Sequence, residues 1–187
     1  MNFNSLAFLI FLPVVIFLYF ILPHKFRWVL LLAASYYFYM SWNPWFIFLI
    51  LSTTLVSYLA GIVIEKSERK GVRRAWLIAT IVITLGALVF FKYFNFLVQS
   101  AIDFLNLFSL HIDSFSLDII LPVGISFYTF QTLSYVLDVY KGSCEAEKHL
   151  GYYALFVCYF PQLVAGPIER PNDLIPQLKQ EHKFNLD

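Results

Sequence analysis

Long apolar runs separated by short polar segments dominate the first half of the chain. Runs of this length and composition predict membrane-spanning helices. The predicted spans are residues 6–22, 28–40, 44–64 and 75–91. Pro13 lies inside the first and is expected to kink it, a defect that neighbouring helices can compensate in a membrane. An aromatic cluster around Asn43 and Pro44 predicts a turn at the membrane interface.

Residues 94–110 show a different pattern, with apolar and polar positions on opposite faces of a helix. The polar face carries Gln99, Asp103 and Asn106. This pattern predicts an amphipathic helix lying in the membrane interface. A spanning helix is disfavoured, because Asp103 would lie near its middle.

Residues 121–142 form an apolar stretch of membrane length with polar groups at helical spacing. One predicted face holds Gly124, Tyr128, Gln131, Tyr135 and Asp138, and the other holds Phe130, Leu133, Val136 and Leu137. Polar side chains at membrane depth must face a bundle interior, a partner or water. The stripe therefore marks either a functional surface or hydrogen-bonding contacts between helices, and the sequence leaves both interpretations open.

Residues 150–168 begin with an apolar segment too short to span a membrane, and several prolines follow. Pro161, Gly166, Pro167 and Pro171 each disfavour a continued regular helix. Irregular backbone at membrane depth requires burial in protein or a cavity. We predict a re-entrant hairpin that enters from and returns to the cytoplasm; a single kinked span is the alternative. The expected fold class is an all-α polytopic membrane protein with tilted transmembrane helices.

Composition agrees with a membrane protein, since the 187 residues are 60% hydrophobic and 13% charged. The net charge is only +1, and no basic tract resembles a nucleic-acid-binding patch. Basic residues instead cluster at Lys25, Arg27 and residues 66–74. Because Lys and Arg are retained in cytoplasmic loops, we expect an extracytoplasmic N-terminus. The same rule places residues 92–118 outside and 141–149 inside, in a multi-pass protein of the cytoplasmic membrane.

Cysteine and histidine give no catalytic or metal-binding pattern. Cys144 and Cys158 predict free thiols; Cys144 is either an ordinary thiol or an S-acylation site. The spacing predicts no metal site. The histidines, His24, His111, His149 and His182, are expected at span ends, in a loop and in the polar tail. None is expected at membrane depth, where a general base for this site would be needed.

Two long motifs in the second half resemble a known family. They read LPVGISFYTFQTLSYVLDVYKG and, further on, YALFVCYFPQLVAGPIERP. Both resemble the N-terminal half of the membrane-bound O-acyltransferase superfamily, in its bacterial branch of alginate O-acetyltransferase and the D-alanine-transferring protein of teichoic acid modification. The segments SYYFYMSWNPWFIFLILSTTLVSYLAGIVIE and FKYFNF are similar to the alginate type.

The resemblance implies a ring of tilted helices around a thin centre, reached by an acyl donor from the cytoplasm and a hydroxyl acceptor from outside. The family's catalytic histidine lies in the C-terminal half, so residues 1–187 are expected to be the N-terminal part, inactive alone and without a catalytic residue. The implied donor is an acyl thioester, acetyl-CoA or an acyl carrier, with no bound cofactor. The implied partners are the lipid bilayer, the C-terminal half and an extracytoplasmic acetyltransferase.

These expectations identify two groups of candidate residues and a function. Tyr128, Gln131, Tyr135 and Asp138 would line or brace an acyl tunnel, and Pro161, Gln162, Gly166 and Pro167 would shape its cytoplasmic mouth. The expected function is transfer of an acyl group, most simply acetyl, toward an extracytoplasmic polysaccharide or its carrier protein. A glycan transporter or flippase subunit and a non-catalytic assembly scaffold are the alternatives.

Overall fold

A computed structural model describes residues 3–108, 116–163, 166–167 and 169–182 of the chain. The described part is all-helical, with eight helices and no strand. Their bounds are α1 Leu6–Ile21, α2 His24–Met40, α3 Phe46–Lys66, α4 Lys70–Asn106, α5 Ile125–Lys141, α6 Leu150–Cys158, α7 Phe160–Leu163 and α8 Pro171–Lys179. The all-α expectation is therefore confirmed for the described residues.

The first three predicted spans each correspond to one helix. The Ser5 side chain caps α1 by accepting a hydrogen bond from the Phe8 amide at 3.3 Å. Pro13 stays within this helix, and α2 begins directly after Pro23. Among the described helices, α3 and α4 are long and apolar enough to cross a membrane, while α1 is a shorter apolar helix of 16 residues.

The fourth predicted span and the predicted interfacial helix form one continuous helix, α4, of 37 residues. The expected boundary between residues 91 and 94 is therefore wrong. No proline or glycine interrupts the chain between Gly86 and Asn106, so nothing in the backbone ends the helix there. Asn95 lies within α4, close to the expected boundary. Its side chain donates to the Leu117 carbonyl at 2.8 Å and accepts from the Leu117 amide at 3.0 Å.

Helix α5 lies at the centre of the packing, against α3 on one side and α4 on another. Gly61 of α3 permits close approach, because an added Cβ would lie 2.5 Å from the Tyr135 hydroxyl oxygen of α5. Helix α6 packs on α2, α3 and α8. The largest fully buried side chains of this core are aromatic: Tyr39, Tyr128, Tyr135, Tyr153, Phe38 and Phe156.

The basic segments of the chain lie together at one end of the helix bundle. Arg73, near the start of α4, donates from Nη2 to the Tyr140 carbonyl at 2.7 Å. The Tyr58 hydroxyl of α3 donates to the Lys148 carbonyl at 2.7 Å, and Trp28 of α2 contacts the His149 ring at 4.9 Å. The start of α2, the α3–α4 turn and the 142–149 loop thus share this end, which we call the basic end.

Candidate functional site

The polar face of α5 is buried in the core, and α6 contacts this helix. Tyr128, Gln131 and Tyr135 are all buried, while Phe130 on the opposite face is 46% exposed. These three positions follow one another at helical spacing, so they form a continuous strip on one side of α5. Leu133 and Val136, expected on the apolar face, are buried as well, because α3 and α4 also pack against this helix.

Helix α6 ends in the interior of the protein, where the helical conformation is interrupted at Tyr159. Its C-cap Tyr159 has φ −54° and ψ 109°, and α7 restarts at Phe160. Pro161 lies in the first turn of α7, where its missing N–H needs no helical partner. This explains why the helix breaks two residues before that proline and not at it.

Side chains from two other helices satisfy the backbone groups that this break leaves free. In a continuous helix the Phe156 carbonyl would accept from the Phe160 amide. Instead, Gln131 Nε2 donates to the Phe156 carbonyl at 2.8 Å, and the Phe160 amide donates to Ser35 Oγ at 3.2 Å. Both contacts are buried. Gln131 on the polar face of α5 thus supplies one of these partners, and Ser35 of α2 supplies the other.

A second set of polar contacts joins the same helices nearer the basic end. The Tyr153 hydroxyl donates to Ser57 Oγ at 2.7 Å, and the ring centroids of Tyr153 and Tyr135 are 4.5 Å apart. The Tyr135 hydroxyl in turn accepts from the Glu147 amide at 3.1 Å. These contacts hold α3, α5, α6 and the 142–149 loop in one arrangement.

Three buried hydroxyls on α2 and α5 have no hydrogen-bond partner among the described residues. Tyr39 and Tyr128 meet edge to face with centroids 6.4 Å apart. Within the described residues neither tyrosine hydroxyl has a hydrogen-bond partner, nor does the Thr129 hydroxyl. Unpaired buried hydroxyls are unfavourable and rare. Tyr39, Tyr128 and Thr129 thus bring unpaired hydroxyls into a core that also buries Ser35 and Gln131.

Asp138 lies apart from the other three tunnel candidates. It is half-buried and lines an open groove of about 440 Å³ between α4 and α5. Phe130, Leu137 and Lys141 line the same groove. The structure therefore brings Tyr128, Gln131 and Tyr135 together but places Asp138 on a different surface, close to Cys144.

The second candidate group lies beside a cavity of about 470 Å³ between α1, α2, α7 and α8. Pro161 and Gln162 line it. Gln162 Oε1 is buried and lacks a hydrogen-bond partner among the described residues. The Gly166 amide donates to the Gln162 carbonyl at 3.0 Å, which folds the chain back over Gln162. Pro167 is exposed, and residues 164, 165 and 168 of the predicted hairpin lie outside the described residues.

The described histidines lie at three separate positions. His149 accepts at Nδ1 from the Tyr152 amide at 3.3 Å and so caps α6. His24 lies at the start of α2, and His182 borders the cavity beside α8; His111 lies outside the described residues. Among the residues that the structure describes, no group of three His, Cys, Asp or Glu side chains is placed to hold a metal ion.

Burial and nearby acidic residues raise the pKa of the Cys144 thiol. Burial, and then the charges of Asp138, Glu147, Glu145 and Glu65, raise the pKa of its thiol to about 11. The thiol also donates to the Glu145 carbonyl at 3.1 Å. Because the thiolate is the reactive form, this position favours an ordinary thiol over a modified one.

In a folded variant whose Cys158 is replaced by alanine, we predict that Cys144 reacts with iodoacetamide at pH 8 on the order of tenfold to a hundredfold more slowly than an unhindered thiol. A raised pKa leaves little thiolate below pH 11, so the rate should climb as the pH rises toward 11. The measurement is alkylation rate against pH, with the detergent-unfolded protein as control. Equal rates for folded and unfolded protein at pH 8 would contradict the raised pKa.

Sequence reasoning missed Ser35, Ser57, Tyr153 and Glu147 as members of this site. Ser35 and Ser57 each interrupt an apolar run, which is the signal that could have found them. Glu147 and Tyr153 gave no comparable signal, because a loop acid and an aromatic residue in an apolar segment are common. Their roles depend on which helices meet.

Comparisons with known proteins give consistent relatives. The chain is 42% identical over 180 residues to the "Probable alginate O-acetylase AlgI" of Pseudomonas aeruginosa and 40% identical over 183 residues to that of Azotobacter vinelandii, in each case over 95% of this chain. It is 31% identical over 215 residues, covering 99% of this chain, to the "Peptidoglycan O-acetyltransferase" of Helicobacter pylori. The chain spans 34%, 36% and 40% of these three relatives. No family model and no solved structure matches it.

Proposed function

We propose that this chain belongs to the membrane-bound O-acyltransferase superfamily, in the branch of the alginate O-acetylases, and that it forms the N-terminal part of an enzyme that O-acetylates an extracytoplasmic polysaccharide. The observation that carries this proposal is identity of about 40% over nearly the whole chain to proteins named for alginate acetylation. The relatives' names favour acetyl transfer over the transporter and scaffold alternatives. Because the chain spans about a third of these relatives, activity requires residues beyond it.

The proposed reaction is transfer of an acetyl group from a thioester donor to a hydroxyl group. The hydroxyl oxygen attacks the thioester carbonyl, a C–O bond forms and the C–S bond breaks. The thiol leaves with the proton that the hydroxyl loses. A general base must accept that proton in passing. The resemblance places the family's catalytic histidine in the C-terminal half, so we assign the base to the remainder of the longer protein.

We assign the basic end to the cytoplasm and the N-terminus to the outside. Support comes from the convergence of three basic segments at one end of the bundle, as retention of Lys and Arg in cytoplasmic loops requires. The first residues of α6 and α8 also lie at this end, since Asn172 donates to the Ser143 carbonyl at 2.9 Å. On this basis we also propose a re-entrant path for residues 150–168.

Labelling tests this orientation. In intact cells expressing the full-length protein, a cysteine introduced by Lys70→Cys should be shielded from an impermeant maleimide, while one introduced by Asp113→Cys should react. Permeabilised cells provide the control, in which Lys70→Cys should also be labelled because its side chain is exposed. The reverse pattern in intact cells would place the basic end outside and overturn the assignment.

Within this frame, Gln131 and Tyr135 brace the broken helix that borders the proposed acyl path, and Tyr128 stays a candidate lining residue. The support is the buried Gln131 contact with the Phe156 carbonyl and the Tyr135 contact with the Glu147 amide. Asp138 is not part of this bracing and stays a candidate for a separate role at the α4–α5 groove.

The cavity beside Gln162 is the proposed approach for the donor. Its lining is mostly apolar, with the unpaired Gln162 Oε1 as a hydrogen-bond acceptor. Acyl carrier arms and acetyl-CoA both carry amide N–H groups, from which this oxygen would accept a hydrogen bond once the Gln162 side chain turns toward the cavity. Pro161 lines the same wall, while Gly166 folds the chain over Gln162 and Pro167 follows at the surface.

The experiment is an acetyl-transfer assay on inverted membrane vesicles that hold the full-length protein. Labelled acetyl-CoA or an acetylated carrier is supplied on the cytoplasmic face, with alginate or peptidoglycan fragments enclosed. We expect alkali-labile label on the enclosed glycan. Glycan that crosses the membrane without gaining label would support the transporter alternative and reject this proposal. The glycan that is labelled identifies the acceptor.

A further inference from the structure

The α3–α4 turn carries the densest positive charge of the chain. Residues 66–74 hold five of the thirteen Lys and Arg residues and one of the twelve acids. Four of these cations, Lys66, Arg69, Lys70 and Arg74, are exposed. In the part of the chain that the structure describes, the one ion pair is Glu147 with Lys179, so none of the five is neutralised by an acid.

The local geometry adds to this unbalanced charge. The first turn of α4 contains no acid to offset the positive end of the helix dipole. Arg73 is fixed in place by its hydrogen bond to the Tyr140 carbonyl and by stacking on the Tyr140 ring at 5.4 Å. Its Nε is buried and has no acceptor among the described residues. Because Nε is out of reach of solvent, the exposed cations around this fixed guanidinium are the groups suited to a phosphate.

An apolar stripe begins directly below these cations. Val72, Trp76, Ile83 and Phe90 are exposed large hydrophobic residues at helical spacing along one side of α4. Trp76 lies one turn beyond Arg73, at the position typical of an aromatic residue at the membrane interface. The surface thus combines phosphate-binding charge with an apolar strip running away from it along α4.

We propose that the α3–α4 turn binds the headgroup of an anionic phospholipid, with the acyl chains lying along the Val72–Phe90 stripe of α4. A phospholipid matches both features at once, because its phosphate and its acyl chains are joined in the same order along the membrane normal. A soluble phosphate compound would leave the apolar stripe unused.

Native mass spectrometry of the full-length protein in detergent, with equimolar phosphatidylglycerol and phosphatidylcholine, tests the proposal. We expect the protein to retain phosphatidylglycerol preferentially. At about fivefold per cation, the triple variant Arg69→Gln, Lys70→Gln, Arg74→Gln should lose this affinity by about a hundredfold, while phosphatidylcholine retention is unchanged. The conservative pair Arg69→Lys, Arg74→Lys should keep it.

The matched control removes the same charge from exposed positions elsewhere, in Lys25→Gln, Lys92→Gln, Lys148→Gln, and should bind as the wild type does. If both triple variants lost the same affinity for phosphatidylglycerol, the binding would be bulk electrostatic attraction. The proposal of a site at the α3–α4 turn would then be rejected. Glycerophosphoglycerol binding as tightly as the lipid would overturn the role of the stripe. If the first triple does not purify, the pair Lys66→Gln, Lys70→Gln serves, with an expected loss of about twenty-five-fold.

Discussion

Replacement of Gly124 by alanine is expected to destabilise the protein by about 2–5 kcal/mol and to abolish acetyl transfer by the full-length enzyme. Gly124 precedes α5 with φ +74°, a left-handed conformation unfavourable for alanine. Its added Cβ would also lie 2.6 Å from the Leu163 carbonyl oxygen at the end of α7. Because a backbone atom cannot move aside as a side-chain tip can, α7 would be displaced from α5.

Gly142→Ala is the matched control for this prediction. Gly142 has nearly the same backbone conformation, with φ +77°, but nothing lies within 4 Å of its added Cβ. It should show only the conformational part of the effect, about 1 kcal/mol. Thermal unfolding of the detergent-purified protein measures both, alongside the transfer assay. Equal losses of stability in the two variants would show that contact with α7 contributes nothing.

Replacement of Gln131 by methionine is expected to lower stability by about 1–3 kcal/mol and acetyl transfer at least about tenfold, a loss of transition-state stabilisation above about 1.4 kcal/mol. Methionine is similar in length but donates no hydrogen bond, so the Phe156 carbonyl would lose its buried partner. The unsatisfied carbonyl would leave the α6–α7 break free to shift. Thermal unfolding and the transfer rate are the two measurements.

Phe130→Leu provides the comparison on the same helix. Phe130 is adjacent in sequence but 46% exposed on the opposite face, so its substitution should change neither stability nor transfer appreciably. If Gln131→Met behaved like Phe130→Leu, the bracing role would be rejected. Loss of transfer with unchanged unfolding would instead assign Gln131 to contact with the acyl group and not to support of α6.

The candidate site was predictable where periodicity alone decides it. Tyr128, Gln131 and Tyr135 follow helical spacing, and all three are buried. Asp138 follows the same spacing but lies at the α4–α5 groove. Helical spacing predicts which residues share a side of α5, but not which neighbouring helix covers each turn of that side.

The sequence by itself determined the all-helical character, most helix positions, the clustering of basic charge and the resemblance to a family. Each of these depends on local composition, spacing or motif, which a linear pattern contains. Only the tertiary structure decided that α4 runs unbroken from Lys70 to Asn106 and that α6 ends at Cys158. It alone paired Gln131 with Phe156 and Ser35 with Phe160. Those contacts join residues 25 and 125 positions apart, and hydrogen bonds of such separation depend on how the helices pack.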